Sequence, residues 1–447
     1  MPKTFKMKKK LFYMIVVAGM LVTGCTKLSF DNQNAPTDLE VLNTREGLIS
    51  LSIGMKQFYA TLGLQSLLIS PGVTAREVKG ITTFTNILEL EAGGTALPTF
   101  NGNVLGVWSN MLRTMGMAED IIERTPVVIT TDNGLQTGLV AFGKLFKAMS
   151  IGGLATAFEQ FPIQTNESGN APFVSRTEGL EEAVKLLDEA VTALGATPPT
   201  AEFNTRVLGA DIVLLDVINA YRARYNMMLG NYAAALSAAN AVNLTTKSQF
   251  VYSIQSPNPV YQQVAVAINY RPRADFGLPP GFVNAADGRL SFYLSTPDAV
   301  VGGETLKTLK GFFDAIDKPI PFYLPDEIRL LKAEAIVRSG GLVADAITEI
   351  NAVRTQSSGD PFGVHANLPV YAGSVTANAL LLEIYQQRSA ELFLQGLRME
   401  DSRRFARPDP PSNVNPVPVT FERNRNFYPY PDQERLTNPN TPADPAI

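Results

Sequence analysis

Four stretches carry residue types that could do chemistry. Gly138-Leu-Val-Ala-Phe-Gly143-Lys144 has the spacing of a phosphate-binding loop, but Leu145 stands where a Ser or Thr would hold magnesium. Its intervening residues belong to an apolar stripe, Leu139, Phe142, Phe146 and Met149, at helical spacing, so they face a core. Ala148-Met-Ser150-Ile-Gly152 resembles a nucleophile elbow, yet Ser150 falls inside that same helix, and the motif needs a preceding strand and a histidine. His365 is the only imidazole in the chain and reads as a loop histidine. A carboxylate pair for glycoside hydrolysis needs neither His nor Cys, but most Glu and Asp fall at helix-surface or ion-pair positions. One His, one Cys and no Asp-x-Asp-x-Asp-Gly loop point to no metal and no cofactor, and the expectation is a protein that is not an enzyme.

The fourth stretch is Glu383 to Arg403, in which charges interrupt an apolar helix. Arg388 with Glu391, and Arg398 with Asp401, form i,i+3 pairs on one face. An anion site is one reading; a partly buried ion-pair network holding helix against helix is the favoured one.

The single cysteine, Cys25, has a particular address. MPKTFKMKKK carries five lysines, and LFYMIVVAGMLVTG follows as fourteen uncharged residues ending at the cysteine. These are the n-region and h-region of a signal peptide over 1–24, short for a membrane span. Val22-Thr23-Gly24-Cys25 looks like a bacterial lipobox, so Cys25 is expected to be lipidated, with 25–37 as a polar tether. No later stretch is expected to span a membrane, which makes the protein anchored rather than spanning. A net charge of −4 argues against nucleic acid as a partner.

The elements that must position these residues are helical. Tyr221 to Val242 reads as two helices joined at Gly230-Asn231, with Tyr221, Tyr225, Met228 and Leu229 before the turn and Ala235, Leu236 and Ala239 after it. Gly341, Ala346, Ile347 and Ile350 repeat Gly230, Ala235, Leu236 and Ala239 position for position, after a helical segment Glu327–Arg338. That is the pattern of tetratricopeptide-like pairs, which make binding scaffolds. Further helices are expected over Thr44 to about Ile69, Val107–Arg124 (stopped by Thr125-Pro126), Leu139 toward Phe161, Leu180 to about Gly195, Leu208–Leu229, Leu342–Arg354 and Ala379–Phe405. Residues 91–103 read as a loop. Residues 243–325 lose helical periodicity and gain prolines and aromatics, so an irregular insertion with short strands is expected. The tail from Arg407 reads as extended chain over the surface of one continuous body, 38–447.

Several motifs in succession resemble the SusD/RagB family of nutrient-uptake outer-membrane lipoproteins. They are Cys25 with Asp31, Asn34, Pro36 and Thr37; Trp108 with Asp120; and the helix ending at Phe161-Pro162. Then come Glu327 with Ala333-Glu334-Ala335, Asn351 with Val353-Arg354, the Glu383–Arg403 charges, and Tyr428-Pro429-Tyr430-Pro431 with Glu434 and Asn438-Pro439-Asn440. Tyr430 departs from the small aliphatic residue common there. The resemblance implies an all-α body of four tetratricopeptide-like pairs (SusD-like) with a loop-rich, ligand-facing half. It implies a lipid-anchored protein of the outer membrane, facing the exterior, that binds a glycan or a peptide. That ligand passes to a SusC-like, TonB-dependent transporter. Sugars offer C–H faces to aromatic rings and hydroxyls to amides, carboxylates and Arg. Candidate contacts are Phe100, Asn101 and Asn103 in one loop and Tyr270, Arg271, Arg273, Phe276, Phe282 and Tyr293 in the insertion. Trp108 is assigned to the core. The competing reading is a lipid-anchored helical scaffold for envelope assembly.

Overall fold

The structure, a computed structural model, describes residues 41–165 and 168–447. The leader 1–24, Cys25 and the tether 25–37 lie outside the described residues. Helix α1 (Arg45–Phe58) is capped by the Thr44 hydroxyl, which accepts from the Gly47 amide. It continues through a π-turn (Tyr59–Gly63) into α2 (Leu64–Thr74). Helix α3 (Thr85–Ala92) occupies a Thr-rich stretch whose composition hid it. Helix α4 (Gly102–Val128) starts five residues earlier than expected, because Asn101 caps it through Oδ1 to the Asn103 and Val104 amides. It also runs past Pro126, which sits so near the C-terminus that its missing N–H and ring clash affect only the last turn.

Helix α5 (Asn133–Ala157) is long and apolar enough to cross a membrane by length and composition, against the expectation that no such stretch exists. Its most apolar window is 83% buried inside the protein, so its neighbours account for its all-round hydrophobicity. Next come α6 (Arg176–Ala196), opened by a Ser175/Glu178 capping box, α7 (Leu214–Leu229) and α8 (Tyr232–Asn240). The later helices are α9 (Gly288–Tyr293), α10 (Pro325–Arg338), α11 (Val343–Arg354), α12 (Ala377–Glu391), α13 (Arg398–Arg404) and α14 (Asp432–Thr437). Along the chain α4 packs on α5, α5 on α6, α6 on α7, α7 on α8, α8 on α10, and α10 on both α11 and α12. A methyl group at Gly152 would overlap the Tyr225 ring, which shows how closely α5 and α7 approach.

The two predicted helix pairs are both present. Gly230 is left-handed (φ 78°, ψ 11°), and the amides of Gly230 and Asn231 close α7 onto Met227 and Asn226. In the second pair the left-handed residue is Gly340 (φ 71°) rather than Gly341. The connection is two residues longer, 339–342 against 230–231, yet Ala235 and Ala346, at the same offset from Gly230 and Gly341, are both buried.

The insertion carries short strands, as expected. β5 (Tyr270–Pro272) pairs antiparallel with β1 (Val78–Gly80), and β6 (Leu294–Val301) with β7 (Glu304–Leu309). β4 (Gln249–Phe250) pairs with β8 (Ile320–Pro321), and outside the insertion β2 (Gln160–Phe161) pairs with β3 (Val174–Ser175).

Two expectations need correcting. The helix predicted over Ala379–Phe405 breaks after Glu391, where Leu394 (φ 56°) and Gly396 (φ 74°) are left-handed. The ion pairs therefore run between elements rather than along one helix. Arg388 bonds Asp401 at 2.8 and 3.1 Å, Arg404 reaches Asp401 at 2.8 Å and Glu334 at 2.9 and 3.0 Å, and Glu391 meets Arg289 at 3.2 Å. Arg398 donates to the Ser389 carbonyl at 2.6 Å and lies 3.9 Å from Glu77. The tail, secondly, does more than cover the surface. Tyr428 donates its amide to the Ala157 carbonyl and shares a hydroxyl bond with Thr74, both at 2.8 Å. The Tyr430 ring joins Trp108, Phe158 and Phe173 in one aromatic cluster. Trp108 is in the core as expected, its indole donating to Glu434 at 3.0 Å.

Burial pushes the Glu77 carboxyl up to about 7, against the pull of Arg398 and of the Leu394 amide. Its Oε2 is buried without a partner, consistent with carrying a proton. Burial raises Asp326 and Glu391 too. A raised acid makes the folded state hold the extra proton, so its contribution to stability falls as pH rises from about 4.5 to about 7. Glu400 and Asp401 stay lowered despite burial, because arginines surround them, and they contribute nothing new in that window. Thermal melting is expected to occur at lower temperature at pH 8 than at pH 5. Glu77→Gln should flatten that difference; an unchanged pH profile would assign it to other groups.

Candidate functional site

A chain of alternating charges ties the start of the insertion to α3 and β1. Glu91, at the end of α3, accepts from Arg76 at 3.3 Å and from Arg273 after β5. Arg273 Nε donates onward to Glu304 of β7 at 2.7 Å, and Glu304 pairs with Lys79 of β1. Burial alone would raise Glu304, but Lys79 and Arg273 hold it below the usual carboxylate range. Burial lowers Arg76 to about 10. The chain locks α3, both short strands and the β6–β7 hairpin into one surface.

On that surface two rings stand clear. Phe84, just before α3, is 58% exposed, and Phe100, just before α4, is 70% exposed. Asn101 and Asn103 donate side-chain amides to the Asn86 carbonyl at 2.8 and 3.0 Å, tying the two segments side by side. Leu88 of α3 is 48% exposed, Asn86 is exposed and Asn103 half-buried. Nearby, Ile81 donates its amide to the Asn269 carbonyl at 2.9 Å, which brings the exposed Val266 and Ile268 toward the same edge. Exposed rings interleaved with amides suit a hydroxylated ligand with apolar C–H faces.

The other predicted contacts are placed differently. Tyr270, Phe276 and Tyr293 are 2%, 0% and 0% exposed. Phe276 packs on Phe393 and Tyr293, and the Tyr293 hydroxyl donates to the Glu391 carbonyl at 2.8 Å. These three rings are core: Tyr270 lies on β5 opposite Gly80 of β1, and Phe276 and Tyr293 pack together against Phe393. Asn101 is likewise buried as the cap of α4, and Arg273 is spent in the charge chain. Arg271, opposite Lys79 on β5, donates to the Pro297 carbonyl at 3.1 Å. Phe282 is half-buried and lines a separate cavity of about 210 Å³ with Asn284, Asp287 and Gln387. Phe100 and Asn103 alone remain on the open face. Phe84, Asn86 and Leu88 went unnoticed; the apolar spacing of Phe84, Ile87, Leu88 and Leu90 was their available signal.

His365 sits in a loop, its Nε2 accepting from the Asp360 amide at 3.4 Å. Among the described residues no group of three or more His, Cys, Asp or Glu side chains is arranged to hold a metal.

No protein-family model matches the chain, and no curated protein does. Solved structures do. A SusD superfamily protein from Bacteroides thetaiotaomicron VPI-5482 superposes with a TM-score of 0.69 at 13% identity, over 90% of this chain and 100% of that one. One from Bacteroides vulgatus ATCC 8482 gives 0.69 at 13%, over 90% and 99%. A SusD-like carbohydrate binding protein from Bacteroides fragilis NCTC 9343 gives 0.62 at 14%, over 90% and 99%. The chain therefore has the SusD-superfamily fold, all-α with tetratricopeptide-like pairs, across nearly its whole length.

Truncating a buried aromatic removes about 3–5 kcal/mol, whereas an exposed ring carries little stability. Phe276→Ala and Tyr293→Ala should lower the denaturation midpoint strongly, while Phe84→Ala and Phe100→Ala should leave it within about 0.5 kcal/mol. Chemical denaturation of the four variants checks the division.

Proposed function

We propose that the protein binds a saccharide at the Phe84–Phe100 face and does so as a lipid-anchored component of nutrient uptake, without cleaving the ligand. The carrying observation is the pair of exposed rings held beside Asn86 and Asn103 on a SusD-superfamily fold. Solved neighbours with this fold include proteins described as carbohydrate binding and sugar binding. The leader, the lipobox-like Val22-Thr23-Gly24-Cys25 and the polar tether support an anchor on the outer membrane, facing the exterior. In this reading a SusC-like, TonB-dependent transporter receives the ligand. The helical pairs act as a rigid support rather than as a reaction centre, and the ligand surface is built on capped helix ends and short strands.

Two measurements test this. Affinity purification of the Cys25-anchored protein from native membranes is expected to bring down a large β-barrel transporter; envelope assembly factors alone would favour the scaffold reading instead. A ring buried against a ligand contributes about 1.5–3 kcal/mol. Phe84→Ala or Phe100→Ala should therefore weaken retention in a polysaccharide affinity gel by roughly tenfold or more. Retention that survives both changes would place the ligand elsewhere.

A further inference from the structure

Helix α12 borders a cleft whose lining shares no residue with the charge chain of the aromatic face. A cavity of about 320 Å³ lies between Asn378, Leu381 and Tyr385 of α12 and the segment Arg404–Arg407. Another of about 420 Å³ continues along Arg403–Asp409. Arg407 lines both, and its guanidinium carbon lies 5.1 Å from the ring centre of Phe282, the aromatic wall of the 210 Å³ cavity on the other side of α12. It also lies 5.5 Å from the ring centre of Tyr385. Arg407 stands at the junction of the three.

Its bonding leaves it directed outward. Nε donates to Glu422 at 2.6 Å, and Glu422, which is buried, also accepts from the Tyr385 hydroxyl. Among the described residues Nη1 and Nη2 bond to no acceptor, so a held and stacked guanidinium offers its fork to the cleft. The same polarity recurs beside it. Arg338 and Arg404 both pair with Glu334, which is fully buried beneath them. The guanidinium groups of this wall are balanced by the carboxylates beneath them, and the Arg407 fork is the part left to bond a ligand. A planar fork of this kind matches a carboxylate in bidentate fashion. Leu381, Phe405 and Asn378 supply the apolar and amide surface that a sugar ring needs beside it.

We propose that this cleft is a second binding site, for a carboxylate-bearing saccharide such as a uronic-acid oligomer, with the Arg407 fork taking the carboxylate and Phe405 flanking the sugar. The saccharide class rests on the function proposed above; the anionic requirement rests on Arg407 itself.

The test titrates the full chain with an oligogalacturonate and with a neutral galactose oligomer of the same length, by calorimetry at low and high salt. Wild type is expected to bind the oligogalacturonate with an affinity that falls as salt rises. Arg407→Lys, which keeps the charge over Glu422 but removes the fork, should weaken that binding tenfold or more and leave the neutral oligomer unaffected. Asn378→Trp, at an exposed position, should fill the cleft and do the same, which covers the case in which the Arg407 variant fails to fold. Undiminished oligogalacturonate binding in a folded Arg407→Lys or Asn378→Trp variant overturns the site, as does loss only in Phe84→Ala or Phe100→Ala. Loss of neutral-oligomer binding in none of the aromatic variants, with Arg407-dependent uronate binding intact, would instead sink the aromatic face and leave this cleft standing.

Discussion

The structure depends on the break between α12 and α13. Six residues, 392–397, reverse the chain through two left-handed positions, Leu394 and Gly396, in the middle of what would otherwise be one helix. That reversal brings Arg388 opposite Asp401, leaves Glu391 for Arg289 of the insertion, and lets the Leu394 amide donate to Glu77 at 2.8 Å. Arg388, Asp401 and Arg289 are nearly or fully buried, so removing the partner of one of them strands a charge at a cost of about 3–5 kcal/mol. Helix, insertion and the end of α2 are thereby specified against one another at a single point. A side chain at Gly396 would press on the Leu67 carbonyl 2.7 Å away, which is why the turn calls for glycine there.

What was legible in the residues follows from this. The pair Tyr221–Val242 and its copy after Gly341 were readable because a glycine turn and small residues at fixed offset are local signals. The irregular character of 243–325 was readable from its composition. The charges of Glu383–Arg403 were recognised as a network, but their partners were not, since nothing local marks Leu394 as left-handed. The helical signal of α3 was similarly weak: it is eight residues long, and its Asn86 becomes meaningful only when Asn101 and Asn103 bond to its carbonyl.

The same limit governed the site. Tyr270, Phe276 and Tyr293 were attractive as ligand contacts because they are aromatics in a loop-rich segment, and loops usually lie outside. Here the insertion folds inward, and its aromatics join the main hydrophobic core. Exposure is a tertiary property, and residue type alone ranks buried and exposed rings alike. Phe100 was separable from them only by its place immediately before an Asn cap. Arg407 carries no local signal, because its value lies in Glu422 and Tyr385, fifteen and twenty-two residues distant in sequence.

The Tyr428–Thr74 hydroxyl bond joins residues 354 apart in the chain. The aromatic cluster around Trp108 likewise lacks its Tyr430 wall until the last few dozen residues are present. A polypeptide made from its N-terminus therefore completes this cluster only when the tail arrives, although from α4 to α8 each helix packs on the next in sequence. Late closure through distant contacts of this kind slows the final step of folding. It also leaves that cluster open until the chain is finished, the condition in which a polypeptide can still be threaded through a narrow pore or claimed by a chaperone.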